Sequence, residues 1–251
     1  MIKVSCVRYL NSQPFIYGLK NSPVINEIDL SIDIPSVCAE KLLSGNVDIG
    51  LVPVAIIPEL KESHIISDYC IGADGKVETV LLLSDVPLEK IENILLDYQS
   101  RTSVLLVKIL AGKFWKISPQ CTDAENDFEN KINGTTAGLV IGDRTFTLKN
   151  KFKYVYDLAE EWKKFTSLPF VFACWVSNKK IKNDFILRFN AALENGLQNI
   201  PLIAAQHPSR DFNAIDYLTK KVSFNLDAKK KEAMKLFLEM SGAYTHSSLR
   251  I

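Results

Sequence analysis

The chain has 251 residues, with 30 Lys plus Arg against 29 Asp plus Glu, and 47% of its residues are hydrophobic. That length accommodates one large domain or two small ones, and the composition excludes a disordered chain. A formal net charge of +1 removes the usual electrostatic case for a nucleic-acid or anionic-membrane partner, so any bound anion must be held by a local cluster.

Lys3 and Arg8 interrupt the apolar N-terminus, which therefore lacks a signal peptide's hydrophobic region. No stretch reaches the ~18–20 apolar residues of a membrane span. Cys6, Cys38, Cys70, Cys121 and Cys174 form no CxxC pair and read as buried thiols in a reducing compartment. The expectation is a cytoplasmic protein.

In chain order, residues 2–7 form a predicted strand, and Pro14 starts a helix. Alternation over 30–34 gives a second strand. Pro35-Ser36 opens a helix, with Ser36 as a candidate cap and Gly45 just past its last turn. A third strand covers 47–53 and is stopped by Pro53. This β-α-β-α-β order implies a parallel sheet. A second series follows from Pro87: a strand at 93–97, a helix at 103–111, a strand at 136–141, an aromatic-rich strand at 171–176 and a helix at 185–197. A last helix runs from Asp227 to Gly242. Two α/β units without a Gly/Ser linker suggest two lobes, with residues 80–83 crossing outward and 171–176 crossing back. On that reading 1–83 plus 177–251 make one lobe and 84–176 the other. A ligand cleft then lies between them, at the C-terminal ends of strands.

There is no GxGxxG, Walker A, HExxH, GxSxG or paired-cysteine metal spacing. His64, His207 and His246 are isolated, which argues against a His-centred triad or metal site. Four segments at strand-to-helix junctions stand out instead. Arg8-Tyr9-Leu10-Asn11-Ser12-Gln13-Pro14 puts polar groups before a Pro-started helix, where Asn11 or Ser12 is either a cap or a ligand contact. In Asp97-Tyr98-Gln99-Ser100-Arg101-Thr102-Ser103, hydroxyls, a guanidinium and a helix start converge. A cap needs only one hydroxyl, so this segment favours an anion site. Gly142-Asp143-Arg144 is either a cap beside a surface charge or an ion pair shaping the cleft wall. The stretch from Asp157 to Trp175 is rich in aromatics, most of them core residues, and Phe170 is its best candidate to line a pocket.

Taken together, Tyr9-Leu10-Asn11-x-x-Pro14, Gly45-x-Val47-Asp48-Ile49-Gly50-Leu51-Val52-Pro53, Ser100-Arg101-Thr102-Ser103, Gly142-Asp143-Arg144 and Trp162…Thr166-x-Leu168-Pro169-Phe170-Val171-Phe172-Ala173-x-Trp175 resemble the chorismate dehydratases of the futalosine route to menaquinone. The resemblance runs to about residue 200. It departs at Ser167 and at Glu78-Thr79, where a Ser beside a basic residue is expected.

The resemblance implies a two-lobed fold like type II periplasmic solute-binding proteins, with no metal or organic cofactor. It also implies loss of water from chorismate to give 3-[(1-carboxyvinyl)oxy]benzoate. Asn11 would be catalytic, with Tyr9, Ser12, Thr79, Ser100, Arg101, Thr102, Ser103, Asp143, Arg144 and Phe170 in contact with substrate. No strong base stands in these segments. Either the substrate's enolpyruvyl carboxylate takes the proton while Asn11 orients the substrate, or Asn11 takes a direct part. A solute-binding protein of the same fold for a small carboxylate is the other reading, and the missing signal peptide counts against it.

Overall fold

β-Branched and leucine-rich runs bounded by proline, glycine and short polar turns give eleven strands in the computed structural model, which describes residues 1–242. His246 lies outside the described residues. Six strands form the first sheet: β1 (Ile2–Val7), β2 (Ile28–Asp33), β3 (Ile49–Pro53), β4 (His64–Ala73), β10 (Phe170–Ser177) and β11 (Ser223–Asn225), in the order β11-β4-β10-β3-β1-β2. The second sheet holds β5 (Val80–Ser84), β6 (Asn93–Leu96), β7 (Gln120–Asp123), β8 (Thr136–Ile141) and β9 (Tyr154–Asp157), in the order β7-β6-β8-β5-β9. β1 pairs parallel with β2 and β3, and β6 pairs parallel with β7 and β8. The βαβ order read from the sequence thus forms in both lobes. β10 runs antiparallel between β3 and β4, and β5 antiparallel between β8 and β9.

The lobe boundaries differ from the expected ones. Residues 80–83 and 171–176 do not cross between lobes: β5 belongs wholly to the second sheet and β10 wholly to the first. The chain crosses at 74–79 and returns through 158–169. A continuous apolar run marks burial on both faces, which an inner strand needs as much as a crossing does. Val80 and Leu82 join the main core, whereas Leu81 and Leu83 pack with Leu95, Phe128, Ile132 and Val140 on the sheet's other face.

The two crossings are fastened by one side chain. Asp157 caps the Leu158–Thr166 helix, accepting from the N–H groups of Ala159 (3.1 Å) and Glu160 (3.2 Å). It also accepts from Val77 N (2.9 Å) and Glu78 N (2.7 Å) of the outgoing crossing. Burial pushes its carboxyl up to about 6, against these four donors, which favour the charged form.

Helix starts follow proline more than the expected caps. Pro35 opens the Pro35–Leu43 helix with no side-chain cap, so Ser36 is not one; Gly45 does adopt a left-handed conformation just past the helix. The Gln13–Lys20 helix crosses Asn183–Gln198 at glycine. A Cβ at Gly18 would sit 1.9 Å from the Ala192 carbonyl oxygen, and one at Gly196 would sit 1.8 Å from that of Pro14. The two backbones touch there. This contact seats the turn that precedes the first helix.

Candidate active site between the lobes

β1 ends at Val7, and the chain turns through a short 3-10 segment, Leu10–Ser12, before Pro14 starts the helix. Neither Asn11 nor Ser12 caps that helix. Opposite, β6 leads into the Arg101–Ile109 helix, and β8 ends at Ile141, just before Gly142. These ends line a partly open cavity, about 530 Å³ with the solvent at its mouth included. Its polar lining is Tyr9, Asn11, Ser12, Thr79, Ser100 and Ser103. Val7, Pro35, Pro53, Ile71, Val77, Val80, Ile141, Gly142, Phe172 and Ala173 complete the wall.

The second-lobe side is built by a helix start. Ser100 caps the helix, its Oγ accepting from Ser103 N (3.1 Å) and donating to Ser103 Oγ (2.9 Å). The Ser103 hydroxyl is thereby left to donate into the cavity, beside first-turn N–H groups that have no partner within the helix. Hydroxyl, N–H groups and helix dipole together offer a neutral set of donors that can receive an anion.

The expected cations stand elsewhere. Arg101 is exposed and pairs with Glu59 at 2.9 Å, so it is not part of a clamp inside the cavity. Side-chain direction on the first turn turns it outward while Ser103 points in. Thr102 is buried and accepts from Ala55 N (3.2 Å), a link between lobes rather than a cavity contact. Arg144 does not pair with Asp143. It bonds Asp97 and Glu129 and lies over the Phe128 ring, 5.3 Å from its centre. Asp143 neither caps the next helix nor lines the cavity; its carboxylate accepts from Leu10 N (3.1 Å), tying the Asn11 turn to the second lobe. Arg8, Gln99, Asp143 and Arg144 line an adjoining depression that shares Tyr9 and Ile141 with the cavity.

Phe170 is likewise corrected: it is core, packed against Trp162, Phe172 and Phe237. A register irregularity between Val171 and Ala173 breaks strict alternation, so Phe172 and Ala173 both face the cavity. Gly142 has φ +77°, and a Cβ there would come within 2.7 Å of the Tyr9 ring, so glycine admits both the turn and the close ring.

Asn11 Oδ1 accepts from the Ser12 hydroxyl (3.1 Å). Tyr9 bonds Gln99, and burial pushes its phenol well up, with nearby Asp97 adding to the shift. Behind the wall lies Tyr217, which the sequence reading missed. Its hydroxyl is 2.9 Å from Thr79 Oγ1. Burial raises the Tyr217 pKa, while the bond from Thr79 pulls the other way. Nothing local around Tyr217 in the sequence signals that contact.

Among the described residues no group of three or more His, Cys, Asp or Glu could hold a metal ion, and no helix is long and apolar enough to cross a membrane. The family profile described as menaquinone biosynthesis matches residues 2–243. The chain belongs to that menaquinone-biosynthesis family. It is 28% identical over 191 residues to the chorismate dehydratase of Thermus thermophilus, covering 69% of this chain and 68% of that one. In fold, this menaquinone-biosynthesis protein is similar to a structural-genomics protein from Archaeoglobus fulgidus, with TM-score 0.74, 14% identity, and 96% and 97% of the two chains covered. It is also similar to a Candida albicans protein described as having the generic periplasmic-binding-protein fold, with TM-score 0.62, 14% identity, and 98% and 92% covered. The two-lobed binding-protein-like fold expected from the sequence is the fold observed.

Proposed function

We propose that this protein is a carbon–oxygen lyase that removes water from chorismate to give 3-[(1-carboxyvinyl)oxy]benzoate. The observation that carries the reading is the lining of the cavity: Asn11 faces a capped helix start across a pocket whose polar groups are neutral donors. Membership of a menaquinone-biosynthesis family and the likeness to a chorismate dehydratase support the same substrate.

The C3 hydrogen of chorismate is vinylogous to the ring carboxylate. Breaking C3–H sends its electron pair into a dienolate on that carboxylate, and loss of the C4 hydroxyl then completes the benzene ring. The helix start at Ser100–Ser103 is suited to bind the ring carboxylate and to stabilise the charge that grows on it. The cavity lining offers no strong base. The enolpyruvyl carboxylate hangs from C3 itself and takes the proton; Asn11, with Ser12 and Thr79, orients the substrate and the departing hydroxyl. Tyr9, Phe172 and Val77 would flank the ring. The free thiols fit a reducing, cytoplasmic setting.

Purified protein mixed with chorismate should convert the cyclohexadiene absorption into a benzenoid one. Saturable binding of a small carboxylate without conversion would instead support a solute-binding role for this fold.

A further inference from the structure

Two hollows lie side by side at this site, and they differ in charge. Among the described residues that line the cavity none is charged, whereas the adjoining depression carries Arg8, Asp143 and Arg144. The two share Tyr9 and Ile141, so these side chains form the wall between them. Ile141 is fixed: it ends β8, is buried, and its N–H donates to the buried Asp97 (3.0 Å). Tyr9 stands on the turn after β1, with its ring close against Gly142, which has no side chain to grip it. The Tyr9 hydroxyl donates across the cleft to Gln99 Oε1, and among the described residues no other group bonds that hydroxyl. Gln99 is buried and held at both ends. Its Nε2 donates to the Tyr98 hydroxyl (2.8 Å), and its backbone N–H donates to Asp97 Oδ1 (3.0 Å).

We propose that Gln99 is a positioning residue: by holding the Tyr9 phenol it keeps the aromatic wall between the neutral cavity and the charged depression in place. A bound ring is then flanked on that side, and the charged side chains beyond it are kept away. Gln99 immediately precedes Ser100, so the same bond ties the first-lobe wall to the helix start that would receive a carboxylate. The inference deepens the proposed function and rests on it for its kinetic test; the position of the ring is tested without it. A tyrosine that only filled space would need its ring alone, and phenylalanine supplies that ring. Without the bond the wall is in place for part of the time, and a site competent for part of the time binds with a correspondingly weaker apparent affinity. In the bound complex the wall is in place again, so turnover at saturation changes little.

Gln99→Leu and Tyr9→Phe should each raise KM for chorismate about 3–10-fold, the size expected of one net hydrogen bond, with kcat near that of the parent protein. The double variant should cost no more than either single one, because both remove the same bond. A crystal structure of Gln99→Leu should show the Tyr9 ring displaced toward the depression and the two hollows joined. Unchanged KM in either single variant, full additivity in the double one, or a loss confined to kcat would overturn the proposal. Should the parent protein fail to consume chorismate, the dehydratase reading falls separately and the crystal structure decides: a displaced ring supports the proposal, and a ring left in its parent position rejects it.

Discussion

The two walls of the cavity are built in opposite ways. The second-lobe wall is local: Ser100, Ser103 and the N–H groups between them are neighbours in sequence, and the cap that shapes them closes within four residues. The first-lobe wall is assembled from afar. The turn that carries Asn11 is held at Leu10 N by Asp143, 133 positions away, and Thr79 is held at its hydroxyl by Tyr217 from the C-terminal part of the chain. A binding element can be made by one helix start, but an oriented neutral amide needs the whole fold around it.

Asn11→Ala should break the asymmetry most visibly. Loss of a preorganised group at a reacting centre costs about 10²–10³ in kcat, whereas Tm should stay near the parent value, because Asn11 caps no helix. Early melting with normal turnover would reduce Asn11 to a structural residue.

The joint between the walls is tested by pH. Asp157 has an ordinary value of 3.8 and is raised to about 6 in the folded protein. The folded state therefore binds its proton more readily. Its contribution to stability is complete below about pH 4 and lost as pH rises through 6, a change on the order of 3 kcal/mol. Asp157→Asn lacks this titration, so the difference in Tm between parent and variant should change between pH 4 and 6 and level off above. Parallel melting curves would show that Asp157 stays charged throughout.

Ser100→Ala sharpens the local side of the comparison. Removing the cap should cost ~0.5–2 kcal/mol of stability and raise KM, since the Ser103 hydroxyl loses its orienting donor. The smallest effect belongs to Arg101→Ala. Its ion pair with Glu59 is exposed on both sides, so stability should change by at most ~1 kcal/mol and kinetics should match the parent. A marked rise in KM would return Arg101 to the anion site.

The same contrast explains what could be read in the letters. Strand and helix order, the Ser100–Ser103 start and the Pro14 helix are local patterns, and they appear where the sequence places them. The crossings at 80–83 and 171–176 were misplaced because full burial in an inner strand and passage between lobes leave the same apolar run. Arg101 and Arg144 were drawn toward the cavity by their charge, yet their partners Glu59, Asp97 and Glu129 are brought up only by tertiary contacts. Phe170 lost its place to Phe172 through the register irregularity in β10, a feature of pairing that residue identity does not announce. Tyr217 sits among ordinary polar and apolar neighbours, and only its distance to Thr79 reveals it.

The contact between Gly18 and Gly196 bears on how this cavity tolerates inherited change. Neither position carries chemistry, and both lie behind the wall. Yet a single methyl at either would press on a carbonyl of the facing helix, and at Gly196 that carbonyl belongs to Pro14, three residues past Asn11. Drift at two silent helix positions is thus translated into displacement of the site itself. Either substitution is expected to shift the turn that carries Asn11, although neither glycine touches the cavity.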